Sequence, residues 1–298
     1  MTGRLWPSLS LALTLAVQPA FAATQQCAVE PPADSSSTWP GAKLTFEEGF
    51  EFADLDTHYG NGFSWDESRR MSIANKGFTG NRSLQFNFPA GENGFSEQRF
   101  TLDKAYPDIW IGYRLRVPDN WEHGSSGPAG NNNKFFAIWM DRYAAEGPTG
   151  VFATRPSSGD SRIMAIPKDR YNDHPGEKAG GILIRVPEDR GRWMHVVIHA
   201  KMASSADRAD GVFELFRRWE GESKYTEIYS TSDWPNYHIG GNRGFRQLYL
   251  MGWANADQPQ ATQWLLDDFV VSETSLLEVP SKTEPTKPEP VIPRFILP

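Results

Sequence analysis

One cysteine stands in 298 residues, so the chain cannot close a disulfide on itself and packing has to hold the fold. No CxxC pair and no HExxH motif occurs, which removes the usual zinc sites; no GxxxxGK[ST] or GxGxxG occurs, which removes the common phosphate cradles. Basic residues are not in excess: 30 Lys and Arg face 37 Asp and Glu, a net charge of −7. A general nucleic-acid binder needs a net basic surface to displace counterions, so that class is excluded. Long apolar runs are missing too. The run Leu11 to Val17 falls well short of the ~20 residues a membrane-spanning helix needs, so no membrane span is expected. No segment keeps a helical period, which excludes a helix bundle or coiled coil.

What is present favours short extended elements. Gly and Pro, at 26 and 22 residues, supply turns, and 11 Trp with 18 Phe supply flat apolar side chains. The N-terminus reads as an export signal over residues 1–22: Arg4, the apolar run Leu11 to Val17, and Ala20-Phe21-Ala22 as a cleavage site. The mature protein is then secreted or periplasmic. Residues 23–42, rich in Pro, Ser and Ala, read as a flexible leader. Residues 279–298 hold six prolines and read as an extended tail, because Pro cannot donate to a ladder. Between them, residues 43–278 show neither a composition break nor a repeat and read as one domain.

Strand signals recur through that domain. Leu44 to Phe46, Ser83 to Phe88, Gln98 to Leu102, Ile109 to Val117, Lys134 to Met140, Gly181 to Val186, Met194 to Met202, Val212 to Trp219, Gln247 to Trp253 and Trp264 to Ser272 are each short and rich in β-branched or aromatic residues. The fold class is all-β: an antiparallel two-sheet β-sandwich of the jelly-roll kind. Alternation places Ile109, Ile111, Tyr113, Leu115 and Val117 on one face, with Trp110, Arg114 and Arg116 on the other. It likewise separates His195, Val197, His199 and Lys201 from Val196, Ile198 and Ala200. Tyr249, Met251, Trp253 and Asn255 share a face, as do Glu97, Arg99 and Thr101. Faces that mix Trp and Tyr with cations suit sugar rings bearing anionic groups. Three stretches, His123 to Lys134, Gly147 to Asp160 and Asp169 to Gly180, read as long polar loops that wall a groove.

Four stretches carry a resemblance: Phe46-Glu47-Glu48-Gly49-Phe50-Glu51; Gly80-Asn81-Arg82-Ser83-Leu84; Trp193 to Val197 with Gly211 to Phe216; and Leu266-Asp267-Asp268-Phe269-Val270-Val271. In this order the chain resembles secreted concanavalin A-like jelly rolls over roughly residues 43–273. Among these it looks most like polysaccharide lyases of the heparin lyase I, glucuronan lyase and alginate lyase kind. The resemblance implies cleavage of a uronate-containing polysaccharide by β-elimination, with an acidic polysaccharide as the partner of a monomer. A lectin-like binding module and, lower, a glycoside hydrolase stand as alternatives. The paired-carboxylate ExDxxE strand of jelly-roll glucanases is absent, as are the RSEL, QIH and YFKAG signatures of alginate lyases.

β-Elimination needs a cation or amide on the carboxylate, a base for the C5 proton and an acid for the leaving oxygen. The candidates are Arg99 or Asn133 for the carboxylate, His199 as base, and Tyr249 as acid with Lys134 assisting. Trp110, Arg114, Trp253 and Asn255 are the candidate substrate-binding residues. Glu47 and Glu51 at the first strand and Asp268 in the last are candidate ligands of a structural Ca2+, which accepts hard oxygen donors.

Overall fold

The β-branched and aromatic runs form strands, and further strands fill the spaces between them. The computed structural model describes residues 39, 42–51, 61–123, 133–140, 147–168, 176–237 and 243–277. Among these residues β1 is Leu44–Glu48, β2 Ser64–Arg69, β3 Met71–Ala74, β4 Ser83–Phe88 and β5 Asn93–Tyr106. Next come β6 Asp108–Arg116, β7 Asn133–Trp139, β8 Thr149–Ser157, β9 Asp160–Lys168 and β10 Lys178–Ile184. The last five are β11 Trp193–Lys201, β12 Gly211–Trp219, β13 Thr226–Trp234, β14 Phe245–Asp257 and β15 Thr262–Ser272. One sheet has eight strands in the order β13-β12-β11-β6-β15-β4-β3, with β1 joined to β15; the other has seven, ordered β10-β9-β8-β7-β14-β5-β2. Every ladder within them is antiparallel.

The inward faces interdigitate across the sandwich. Phe152 of β8 stacks on Phe213 of β12 with centroids 4.1 Å apart and planes 7° apart, joining the two sheets. A second knot is Trp65, Phe100 and Phe269, with Phe100 centroids 4.4 Å and 5.1 Å from the other two. Each such ring contributes about 2–3 kcal/mol by burial, and each aromatic pair ~0.5–1.5 kcal/mol beyond that. Ile109, Ile111, Tyr113 and Leu115 all lie in this core, so the alternation read for β6 holds.

Two expectations change. Gly147 to Asp160 is not a loop: β8 occupies Thr149–Ser157 and turns straight into β9. Gly150 and Pro156 hide its alternation, but ladders to β7 and β9 on both sides hold it extended whatever its own propensity. The end of the leader is also anchored. Trp39 is buried over Gly112 of β6, and its Nε1 donates to the carbonyl of Asp268 at 3.4 Å. A Cβ on Gly112 would stand 2.8 Å from the Trp39 ring, so only glycine admits this approach. The proposed export signal and the Pro-rich tail lie outside the described residues, as do 124–132 and 169–175 of the other two expected loops.

Candidate functional site

The residues named from the sequence divide between the two sheets, and this division decides which of them can work together. Trp110, Arg114 and His199 stand on the outer face of the eight-stranded sheet; Arg99, Lys134, Tyr249, Trp253 and Asn255 stand on the seven-stranded sheet. His199 therefore cannot act as base opposite Tyr249. Its ring is also fully engaged: Nδ1 contacts Glu214 at 2.8 Å and Nε2 contacts Asp108 at 2.9 Å, and Trp110 stacks on it at 4.0 Å with planes 7° apart. A ring that gives a proton to a carboxylate from each nitrogen has no lone pair left for a base. Burial alone lowers its proton affinity, but the two carboxylates outweigh burial and the net shift is upward.

That triad carries a pH signature. A histidine with a raised folded value stabilises fully below the ordinary value of about 6.5 and loses the contribution as pH rises through the folded value. Glu214 is shifted down by His199, and Asp108 is shifted down against the upward push of burial. Their contribution is present above about pH 4.4 and lost on acidification, so the triad stabilises most between about pH 4.5 and 6.5. Denaturant titration should show His199→Leu costing about 1 kcal/mol more at pH 6 than at pH 9, a modest figure because Asp108 is 42% exposed. An equal cost at both pH values would count against the triad.

Arg114 is equally unavailable for a ligand. Its Nε donates to Asp268 at 2.5 Å, its guanidinium lies 3.8 Å over Phe78, and it also contacts His195. His195, held neutral by burial and by the charges of Arg114 and Arg218, drops to about 2. The metal expectation fails in the same neighbourhood. β1 and β15 are neighbours, but the Asp268 carboxylate is taken by Arg114 and by the Thr79 hydroxyl at 2.9 Å. Glu51 accepts the N–H groups of Asn81 and Arg82 at 3.0 and 3.1 Å, and Glu47 is exposed. An arginine, a hydroxyl and backbone donors already occupy the Asp268 and Glu51 carboxylates, so these residues do not fit Ca2+. Among the described residues no group of three His, Cys, Asp or Glu is arranged to hold a metal ion.

The outer face of the seven-stranded sheet is different in kind. Phe100 and Leu102 lie in the core, so Phe95, Glu97, Arg99 and Thr101 of β5 face outward. Register sets Tyr249 directly between Arg99 of β5 and Ala137 of β7, and sets Trp253 opposite Phe95. Tyr249 packs with Ala137, Trp139 and Val151 in a cluster separate from the main core, its ring 5.0 Å from that of Trp139. β14 then kinks, with φ of 61° at Met251 and 138° at Gly252. Met251 turns into the core instead of joining Tyr249, because the bulge breaks the alternation there. A Cβ on Gly252 would lie 3.0 Å from the Tyr249 ring and 3.2 Å from Cβ of Lys134. Tyr249 and Lys134 thus meet over bare backbone, with Arg99 one strand away.

Asn133 does not join them. It is 7% exposed and lines a small cavity at the end of the sandwich with Trp121, Met251 and Gln258. Arg99 is paired with Glu97 at 2.7 Å. Asn255 follows Trp253 on the same strand face, and Trp253, at 39% exposed, is the large apolar side chain open to solvent among the described residues.

Sequence reading missed the far half of this face. With Ile163 and Ala165 in the core, Arg162 and Lys168 of β9 face outward, and Arg162 stands opposite Arg155 of β8. Arg155 is held by Glu177 at 2.6 Å, but Lys134, Arg162 and Lys168 have no carboxylate partner among the described residues. β7 and β8 contain no acidic residue, and the Asp160 carboxylate of β9 accepts the Val186 N–H at 2.9 Å. Burial, then the charge of Lys134, lowers the proton affinity of Lys168. A chain of net charge −7 therefore presents unpaired cations on one sheet face. The signal was in β9, whose alternate positions read Arg162, Met164, Ile166 and Lys168, but β9 was not recognised as a strand.

Among solved structures, the chain is similar to an endo-β-1,4-glucuronan lyase from the fungus Trichoderma reesei, at 14% identity over 78% of this chain and 96% of that one, with a TM-score of 0.51. It is also similar to a variant alginate lyase in complex with an alginate trisaccharide, at 12% identity over 78% and 100% of the two chains, with a TM-score of 0.53. No protein-family profile and no curated protein sequence matches the chain. The fold is a concanavalin A-like jelly roll. Among the described residues no helix is long and apolar enough to cross a membrane.

Proposed function

We propose that the protein is an exported polysaccharide lyase that cleaves a uronate-containing chain by β-elimination on the outer face of the seven-stranded sheet. The observation that carries this reading is the meeting of Tyr249 and Lys134 over Gly252, beside Arg99 and its partner Glu97, on a face where Arg162 and Lys168 have no carboxylate partner among the described residues. Arg99 holds the uronate carboxylate and steadies the charge that builds there as C5 is deprotonated. Lys134 takes the C5 proton. The electron pair forms the C4–C5 double bond, the C4–O bond breaks, and Tyr249 gives its proton to the departing oxygen. Structural similarity to a glucuronan lyase and an alginate lyase supports the substrate class.

The test is a panel of glucuronan, alginate, glycosaminoglycan and pectic chains followed for the unsaturated product by absorbance near ~235 nm, where general acid–base elimination leaves a conjugated C=C. Turnover on one of them supports the lyase. Binding without product on any of them supports the lectin-like alternative, which exposed Trp253 would also serve. In affinity electrophoresis on the ligand chain, Trp253→Ala should weaken retention about tenfold, the scale of one lost stacking contact. Raising salt should weaken it further in wild type and variant alike, because pairing of exposed Arg and Lys with uronates is screened. Unaltered mobility of the variant would remove Trp253 from the binding face.

A further inference from the structure

The outer face of the eight-stranded sheet carries a second feature, at the end away from the Trp39 cover. Register lines up Ser72 of β3, Gln85 of β4, Leu265 of β15 and Arg116 of β6 in one row across four strands, with Asn87 and Gln263 paired in the next row. Three interstrand gaps make this row about 14 Å long. Two hollows of about 390 and 350 Å³ lie along it and meet at Ala261 and Gln263.

The floor is built from amides that hold one another in place. Gln85 Nε2 donates to Asn87 Oδ1 at 2.7 Å and to Ser72 Oγ at 3.3 Å; Asn87 Nδ2 donates to Ser72 Oγ and to the Arg70 carbonyl, both at 3.1 Å; Gln263 Nε2 donates to Asn87 Oδ1 at 3.3 Å. The side-chain carbonyls of Gln85 and Gln263 have no partner among the described residues. Leu265, 6% exposed, provides an apolar strip between them. At the rim Arg70 pairs with Glu92 at 3.0 Å and Arg116 with Asp119 at 2.7 Å, while Lys76 lines the second hollow without an ion-pair partner among the described residues. Such a floor offers the two side-chain carbonyls of Gln85 and Gln263 as acceptors, the second N–H of Gln263 as a donor, and a small apolar contact, but no unpaired arginine and two carboxylates.

We infer that this groove binds a neutral, polyhydroxylated saccharide chain. Sugar hydroxyls donate to the side-chain carbonyls of Gln85 and Gln263 and accept from the second N–H of Gln263, and a C–H face of the sugar rests on Leu265. A polyanion finds no free arginine fork here, because Glu92 and Asp119 hold Arg70 and Arg116 and leave Lys76 as the one cation of the lining without an ion pair among the described residues. The groove lies on the sheet opposite Tyr249 and Lys134 and shares no residue with them, so it does not depend on the lyase reading.

Affinity electrophoresis through gels holding arabinoxylan, mixed-linkage β-glucan or galactomannan tests it. Wild type should be retarded by at least one neutral polymer, and ~0.5 M NaCl should not change this, since no charge pairing is involved. Gln85→Ala/Gln263→Ala should weaken retention at least about tenfold, the loss of two or three neutral hydrogen bonds. Lys134→Ala should be retarded like wild type, which separates this groove from the uronate face. If the double variant melts early, the exposed single change Gln263→Ala is read in its place, with a loss of several fold. No retardation by any of the three polymers, undiminished retention in the variants, loss in Lys134→Ala, or retention by polyuronates alone would each overturn the inference.

Discussion

Tyr249→Phe and Lys134→Ala are each expected to lower elimination on the cleaved polyuronate by about 10²–10⁴, the usual worth of one general acid or base. Both variants should keep the wild-type melting midpoint. Phe fills the ring space against Trp139, and the Lys134 side chain has no ion-pair partner among the described residues. His199→Ala, on the opposite sheet, should keep kcat on the protein that remains folded. The contrast matters because a merely structural role for Tyr249 would move stability and rate together. Wild-type kcat in both Tyr249→Phe and Lys134→Ala would remove them from the chemistry, and loss of kcat in His199→Ala at full stability would reopen its case.

Arg114→Leu is expected to cost about 3–5 kcal/mol in urea titration at pH 7, the range for removing one partner of a buried ion pair. Asp268, 3% exposed, would be left without its cation beside the fully buried Asp267. Burial and then the neighbouring Asp268 already push Asp267 up to about 7, and burial raises Asp268 despite Arg114. A carboxyl with a raised folded value stabilises when protonated. That contribution is complete below about pH 4 and lost as pH rises through the folded value, so the variant should be relatively better at pH 5 than at pH 8. Arg114→Leu/Asp268→Leu should recover part of the loss, because the unpaired charge goes with its partner. Saccharide retention should survive in both folded variants. A cost below 1 kcal/mol, or no recovery in the double variant, would contradict the role assigned to this pair.

The strand faces were legible where alternation is uninterrupted. β6, with Ile109, Ile111, Tyr113 and Leu115 inward, and β11, with Val196 and Ile198 inward, follow from period-two side-chain geometry alone. Alternation failed at β14, where Met251 turns inward, since a bulge is a backbone event that a residue pattern records only as a glycine. β8 and β9 were missed because Gly150, Pro156 and Pro167 weaken their propensity, while neighbouring strands supply the ladders. With β9 went Arg162 and Lys168, and with them the cationic half of the candidate face.

The all-β class and the absence of disulfide, zinc and phosphate motifs were therefore determined by composition and period along the chain. Which candidates share a site was decided only by the tertiary structure. Alternation says that His199 and Tyr249 each leave the core, but each sheet of a sandwich has its own outer face, and strand order alone assigns a strand to a sheet. Sequence separation carries no such information: β11 and β14 are both near the C-terminal end, yet they lie in different sheets. Trp110, Arg114 and His199 consequently became pairs and stacks on one sheet, and Arg99, Lys134 and Tyr249 a candidate site on the other, because strand order sets which polar side chains share an outer face.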